Sequence, residues 1–430
     1  MSLQLRPFSK DQSDALARRP VWPLLAVAIA AVMVVIGIIA LGQYVWKQQR
    51  VTSLEQECRL SRDKGDWAAV TRLAAIWADV RPHDADPWIF LAQAAESQGS
   101  LQRAAEYLDK LPDIDPKTIP ALLERVDLLF GDLGQPLEAA KTCERILLID
   151  PKSIDAHQRL TFFYAVTLQR KKMVEQARKA IEASCDIPET YVYLIGADWI
   201  TLSNTATVND RWLKTNPDQE LYRVASALGY VNAHGLEESI SEEEAALEID
   251  APRQTPEHEK RLTLYLNQFP ENLGLLSYFL QQASTQGDSD TVARLLSSAP
   301  PEAQSDNRFW RFKGWLHAAR GEDQEADQAF RKALELNPYD WAAQHQFAGV
   351  LRKTGHAEHA ALMTQLSAEG RSLKKTILKQ PDVRSIPATV LTEMAVYAAK
   401  CGDNHSANRL FARVREISQS GNSLIYKASD

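Results

Sequence analysis

Residues Trp310–Pro338 read "WRFKGWLHAARGEDQEADQAFRKALELNP", and a looser version of the same run begins at Trp88, "WIFLAQAAESQGSLQRAAEYLDKLPDIDP". Trp310, Gly321, Ala326 and Pro338 answer to Trp88, Gly99, Ala104 and Pro116 at the same offsets. The recurrence extends along the chain. Gly65, Gly99 and Gly134 fall 34 and 35 residues apart, and Pro82, Pro116 and Pro151 keep the same steps. Near the C-terminus Leu391, Ala395, Gly402, Ala407 and Phe411 lie 81 residues beyond Trp310, Gly314, Gly321, Ala326 and Phe330. A period of this length marks stacked units, each of which buries its apolar face only against its neighbours.

The run from Trp310 resembles a tetratricopeptide repeat, two antiparallel helices in about 34 residues with the pattern W-x2-L-G-x2-Y, A-x3-F, P. Trp310, Gly314, Ala326, Phe330 and Pro338 match, while Lys313 and His317 stand where the family prefers Leu and Tyr. The resemblance implies an all-α fold, a right-handed α-solenoid of helix pairs. In it Gly314 and Ala326 are small where paired helices press together, and Trp310 and Phe330 fill space between neighbouring pairs. Gly321 suits the left-handed residue that ends a first helix, and Pro338 cannot continue the second.

Ahead of the repeats, Val21–Val45 holds 25 residues without a charge, "VWPLLAVAIAAVMVVIGIIALGQYV". As a helix it would reach about 37 Å, enough for a hydrocarbon core of about 30 Å. Trp22, Tyr44 and Trp46 sit at its ends, and Arg18, Arg19, Lys47 and Arg50 flank it, as interfacial anchors do. It is too long for the apolar core of a cleaved signal peptide, which runs about 7–15 residues. The expected order is a tail over 1–20, a transmembrane helix over 21–46, repeats over 51–234, an acidic insertion over 235–256, repeats over 257–421, and a tail over 422–430. The insertion holds seven acids and no base from Glu237 to Asp250; a second departure, at 365–387, carries the basic run "RSLKKTILK". The expectation for topology is an inner-membrane anchor with the C-terminal body exported.

A net charge of −7 argues against a general nucleic-acid binder, which would carry a basic face. The four cysteines lie 85, 42 and 216 residues apart, which fits no metal knuckle, redox pair or haem-attachment motif. No phosphate-cradling glycine loop, HExxH or GxSxG occurs, so no cofactor is expected and the chain reads as a non-enzyme. The one metal-like grouping is His356 and His359 a helical turn apart, with His345 on the preceding helix; it supports the alternative of a metal-dependent hydrolase.

The repeat resemblance implies a protein-interaction scaffold whose concave groove holds partner proteins or peptides, tethered by the anchor. Such proteins join one span to repeats in the bacterial envelope, where they assemble or localise other proteins; an accessory subunit of a membrane enzyme or secretion complex is the alternative. The family's groove positions fall on Arg308, Arg311, Trp315, His345, Arg352 and Lys353, so a basic inner wall for an acidic peptide or C-terminal carboxylate is expected here.

Overall fold

A computed structural model describes residues 22–232, 256–384 and 386–427, without the side chains of 22–29, 31, 40, 256 and 420–427. Among the described residues the regular structure is helical throughout. The chain divides into two compact units, Met1–Pro112 and Asp113–Asp430.

The first unit comprises α1 (Trp22–Asp63), α2 (Trp67–Val80), α3 (Asp86–Ser97) and α4 (Leu101–Asp109). The last turns of α1 serve as the first helix of a repeat. Val51, Leu54 and Cys58 are buried there against Val70, Ala74 and Trp77 of α2. The chain then turns at Gly65, whose φ of 71° places it in the left-handed region. Earlier in α1, Val32, Met33, Ile38 and Leu41 are each more than half exposed. The span expected over Val21–Val45 is not a finding of the structure. Val21 lies outside the described residues, and among the described residues no helix is long and apolar enough to cross a membrane.

The second unit continues the pairs with α5 (Thr118–Phe130), α6 (Pro136–Ile149), α7 (Ile154–Val166), α8 (Arg170–Glu182), α9 (Pro188–Ile195), α10 (Thr205–Leu213), α11 (Glu220–Asn232) and α12 (Pro256–Gln268). Then follow α13 (Leu273–Gln286), α14 (Ser289–Ser297), α15 (Asn307–Arg320), α16 (Asp323–Leu336), α17 (Trp341–Lys353), α18 (Ala357–Ile377), α19 (Ala388–Lys400) and α20 (Asn404–Lys427). The acidic run Glu237–Asp250 lies outside the described residues.

Two glycines explain why the repeat needs them. A Cβ on Gly314 would stand 2.8–2.9 Å from the ring of Phe330, so α15 and α16 can approach only where position 314 has no side chain. Phe330 therefore fills its own pair as well as the next, where it meets Phe347 at a centroid distance of 5.8 Å. Gly321 has φ 76°, and nothing lies within 4 Å of an added Cβ, so there the need is purely conformational. The same left-handed residue recurs at Gly99, Gly134, Gly287, Gly355 and Gly402, while in the α7–α8 pair Leu168 (φ 55°) takes the place.

The position of Trp310 has a second use. Its indole Nε1–H donates to the carbonyl of Gln304 (2.9 Å), six residues back. Trp88 donates to Pro82 (3.1 Å), Arg223 to Pro217 (2.7 Å) and Gln344 to Pro338 (2.8 Å) with the same offset. His157 Nε2 meets Pro151 O at 3.0 Å, which fixes the Nε2–H tautomer, while its Nδ1 accepts from Gln176. Each donor satisfies a turn carbonyl that no helix ladder can reach. The four cysteines are unpaired, and three of them are buried.

Candidate peptide-binding cavity

The second unit closes on itself through buried carboxylates. Asp198, in the irregular turn after α9, accepts from Asn307 (2.7 Å) and Asn337 (2.7 Å) and pairs with Arg170 of α8 at 2.5 Å. Asp340, the N-cap of α17, accepts from Ala343 N, from Asn307, and twice from Arg311 Nη1 at 2.9 Å. Asp306, the N-cap of α15, holds both the backbone N–H (3.0 Å) and the guanidinium (2.7 Å) of Arg308. Further along, Asp186 binds Arg409 (2.5 Å) and the Tyr191 hydroxyl (2.8 Å), and Asp403 binds Tyr339 (2.7 Å) and Arg178 (3.1 Å).

These carboxylates respond differently to burial. Desolvation opposes the charge on Asp198, but Arg170, Arg311 and Arg308 outweigh it and hold its pKa below the ordinary value. Asp306 is likewise held well below the usual range, because Arg308 and Arg170 override burial. Asp340 shifts upward, since burial, with Asp198 nearby, exceeds the help from Arg311.

Where these elements meet they leave a cavity of about 410 Å³. Its walls come mainly from the first helices α7, α11, α13, α15 and α17, with Arg170, the 197–201 turn and Lys374 of α18 completing it. Trp199 is placed by Gly196, where a Cβ would meet the indole at 3.3 Å and the Val192 carbonyl at 2.6 Å. A volume of this size, aromatic and charged, suits a few residues of extended peptide or one small molecule.

Of the six expected groove residues, the cavity gathers two, Arg308 and Arg311. Neither offers the free charge expected of it: Arg311 is 7% exposed and bound to Asp340, and Arg308 is bound to Asp306. Trp315 packs half-buried against the α13–α15 core. His345 is exposed, Arg352 donates to Thr364 (3.2 Å), and Lys353 lies 3.9 Å from Asp323; none of these lines the cavity. Arg308 and Arg311 of the expected basic wall are thus matched by acids, because Asp306 and Asp340 stand at the N-caps of α15 and α17. The histidine alternative is corrected. Among the described residues no three His, Cys, Asp or Glu side chains come together to hold a metal, and His356 instead shares a 3.0 Å hydrogen bond with Thr354. Sequence reading missed Arg170, Asp198 and Trp199 because they belong to no repeat position; Lys374 had a signal, in the basic run of the 365–387 departure.

The tetratricopeptide-repeat family matches this sequence over residues 63–118 and again over 237–381. Protein HemY of Escherichia coli K12 is 23% identical over 328 residues, covering 74% of this chain and 76% of the relative, and HemY of Shigella flexneri aligns equally. Among solved structures, a tetratricopeptide repeat protein from Parabacteroides merdae is 13% identical, with 70% of this chain and 99% of that one covered and a TM-score of 0.28. The Cut9–Hcn1 hetero-tetramer of the APC/C is 12% identical, with 86% and 79% covered and a TM-score of 0.32.

Proposed function

Since the chain is a tetratricopeptide-repeat protein, we propose that it is a protein-interaction scaffold that holds a segment of a partner in the cavity between α7, α13, α15 and α17. The observation that carries this reading is the cavity itself, a pre-formed space of about 410 Å³ on the face lined by first helices. A scaffold needs such a space to be rigid, and the buried Asp198, Asp306 and Asp340 networks supply that rigidity. Replacing Gln281, an exposed residue at the cavity wall, with Trp fills the space without disturbing the core. The expected result is loss of partners cross-linked in cells with helical circular dichroism unchanged. An unaltered partner set rejects the cavity as the binding site.

The scaffold is, in this proposal, membrane-tethered by residues 21–45 and works in assembling or localising envelope proteins. Support comes from the uncharged run in the sequence and from the apolar side chains of α1, which are exposed among the described residues. Residues 51–430 retain Val51, Leu54 and Cys58, so this fragment should fold and stay in the supernatant after an alkaline wash, whereas the full chain pellets with membranes. A fragment that pellets as the full chain does rejects the tether.

A further inference from the structure

We propose that the Lys374 ammonium and the Trp199 ring form an anion subsite of the cavity, built for a single carboxylate on the bound peptide; the proposal rests on the cavity being the partner site. Four cations line the cavity, Arg170, Arg308, Arg311 and Lys374, against two carboxylates, Asp198 and Asp340. A third carboxylate, Asp306, stands behind Arg308. Each arginine is matched by one of these acids at 2.5–2.9 Å. Lys374 is the lining cation that has no acid partner among the described residues, and its ammonium lies 5.5 Å from the centre of the Trp199 ring. Among the described residues the cavity therefore carries one positive charge in excess, and that charge sits on one side chain.

A lysine on a solvated helix face would explain an unpaired charge, but Lys374 is not so placed. It is half-buried, and burial pulls its pKa below the ordinary lysine value. Desolvating an ammonium without an anion to receive it is unfavourable, so the site gains when a carboxylate arrives. Its position is also built. The second helices α6, α8 and α16 run 13–14 residues, whereas α18 runs 21, and Lys374 lies in the added turns. Gly370 lets those turns pass: a Cβ there would meet Trp341 Cβ at 2.9 Å and would overlap the Tyr397 hydroxyl. The neighbouring Arg371 guanidinium lies 5.2 Å from the ring of Trp341, which helps fix the approach.

A single excess charge matches a carboxylate better than a phosphate dianion, which Asp198 and Asp340 in the same wall would repel. The carboxylate can be an acidic side chain or a chain terminus. The test measures fluorescence anisotropy of labelled hexapeptides against the full-length protein. The peptides are one glutamate peptide with a free C-terminus, its C-terminal amide, the glutamine version of each, and a phosphoserine version. The expected result is that Lys374→Met weakens the glutamate peptide by about tenfold or more, as for a lost charge-assisted hydrogen bond, while Lys374→Arg retains most of it. Binding that survives amidation but not the glutamine change assigns the side chain; the reverse assigns the terminus. Equal affinity of Lys374→Met and wild type, no binding by any carboxylate peptide, or tighter binding of the phosphoserine peptide overturns the proposal. The Gln281→Trp variant separates the two readings. If it abolishes peptide binding while Lys374→Met does not, the subsite fails and the cavity stands; if it leaves binding intact, the cavity fails.

Discussion

Helix α15 presents two kinds of contact, and they were won by different means. Toward α16 it offers Gly314, and the ring of Phe330 fills the vacancy from within the same repeat. Toward the cavity it offers Arg308 and Arg311, and its Asn307 reaches Asp198 of the cavity wall, 109 residues away in sequence. The first contact is apolar, local and repeated along the chain. The second is polar, long-range and made once. The difference teaches that a repeat can supply stability by its own pattern while the closure of the unit depends on positions outside that pattern.

Breaking the polar side should have the largest effect. Asp198→Ala leaves the buried Arg170 only Asp306, at 3.8 Å, as a counter-charge, and it removes the acceptor of the Asn337 amide and one of the two acceptors of the Asn307 amide, so stability should fall by about 3–5 kcal/mol. Urea unfolding followed by helical circular dichroism measures it, and a loss below that of the apolar variant that follows would reverse the ranking. On the apolar side, Gly314→Leu forces α15 from α16 against the buried Phe330 ring and should cost up to about 3 kcal/mol, as overpacking does. If it melts like wild type, the close approach of Gly314 and Phe330 is not maintained in solution.

A third experiment uses pH to sharpen the contrast. Glu189 of α9 is almost fully buried, and burial, against the weaker help of Arg384 and Gln158, raises its pKa to about 7. The folded state then binds a proton that the unfolded chain releases near the ordinary glutamate value, so this residue's contribution to stability is complete at low pH. It is lost as pH rises from about 5 toward 7 and above. Glu189→Gln keeps the uncharged form, and should remove about 2 kcal/mol of destabilisation at pH 8 while changing little at pH 5. Parallel pH profiles of melting temperature for the two proteins would place Glu189 in a wetter environment than its packing indicates.

The smallest effect belongs to backbone alone. Gly321→Ala meets open space, so only the left-handed conformation is penalised, by about 1 kcal/mol. Thermal melting should show a modest shift, smaller than that of Gly314→Leu.

What the sequence determined by itself is the repeat: helix pairs, left-handed residues at Gly65, Gly99, Gly321 and Gly402, and small residues where helices press together. These follow from constraints within about 34 residues, where composition and spacing suffice. The resemblance to the repeat family also marked Arg308 and Arg311 as inner-face residues, because the family's groove positions fall on them. Only the tertiary structure decided that both are neutralised, that Asp198 and Arg170 pair in the same wall, and that Lys374 lies beside Trp199 with no acid partner among the described residues. Charge balance in a buried cavity is set by whichever side chains the folded chain brings together, and no periodicity in the sequence encodes an encounter between residues more than a hundred positions apart.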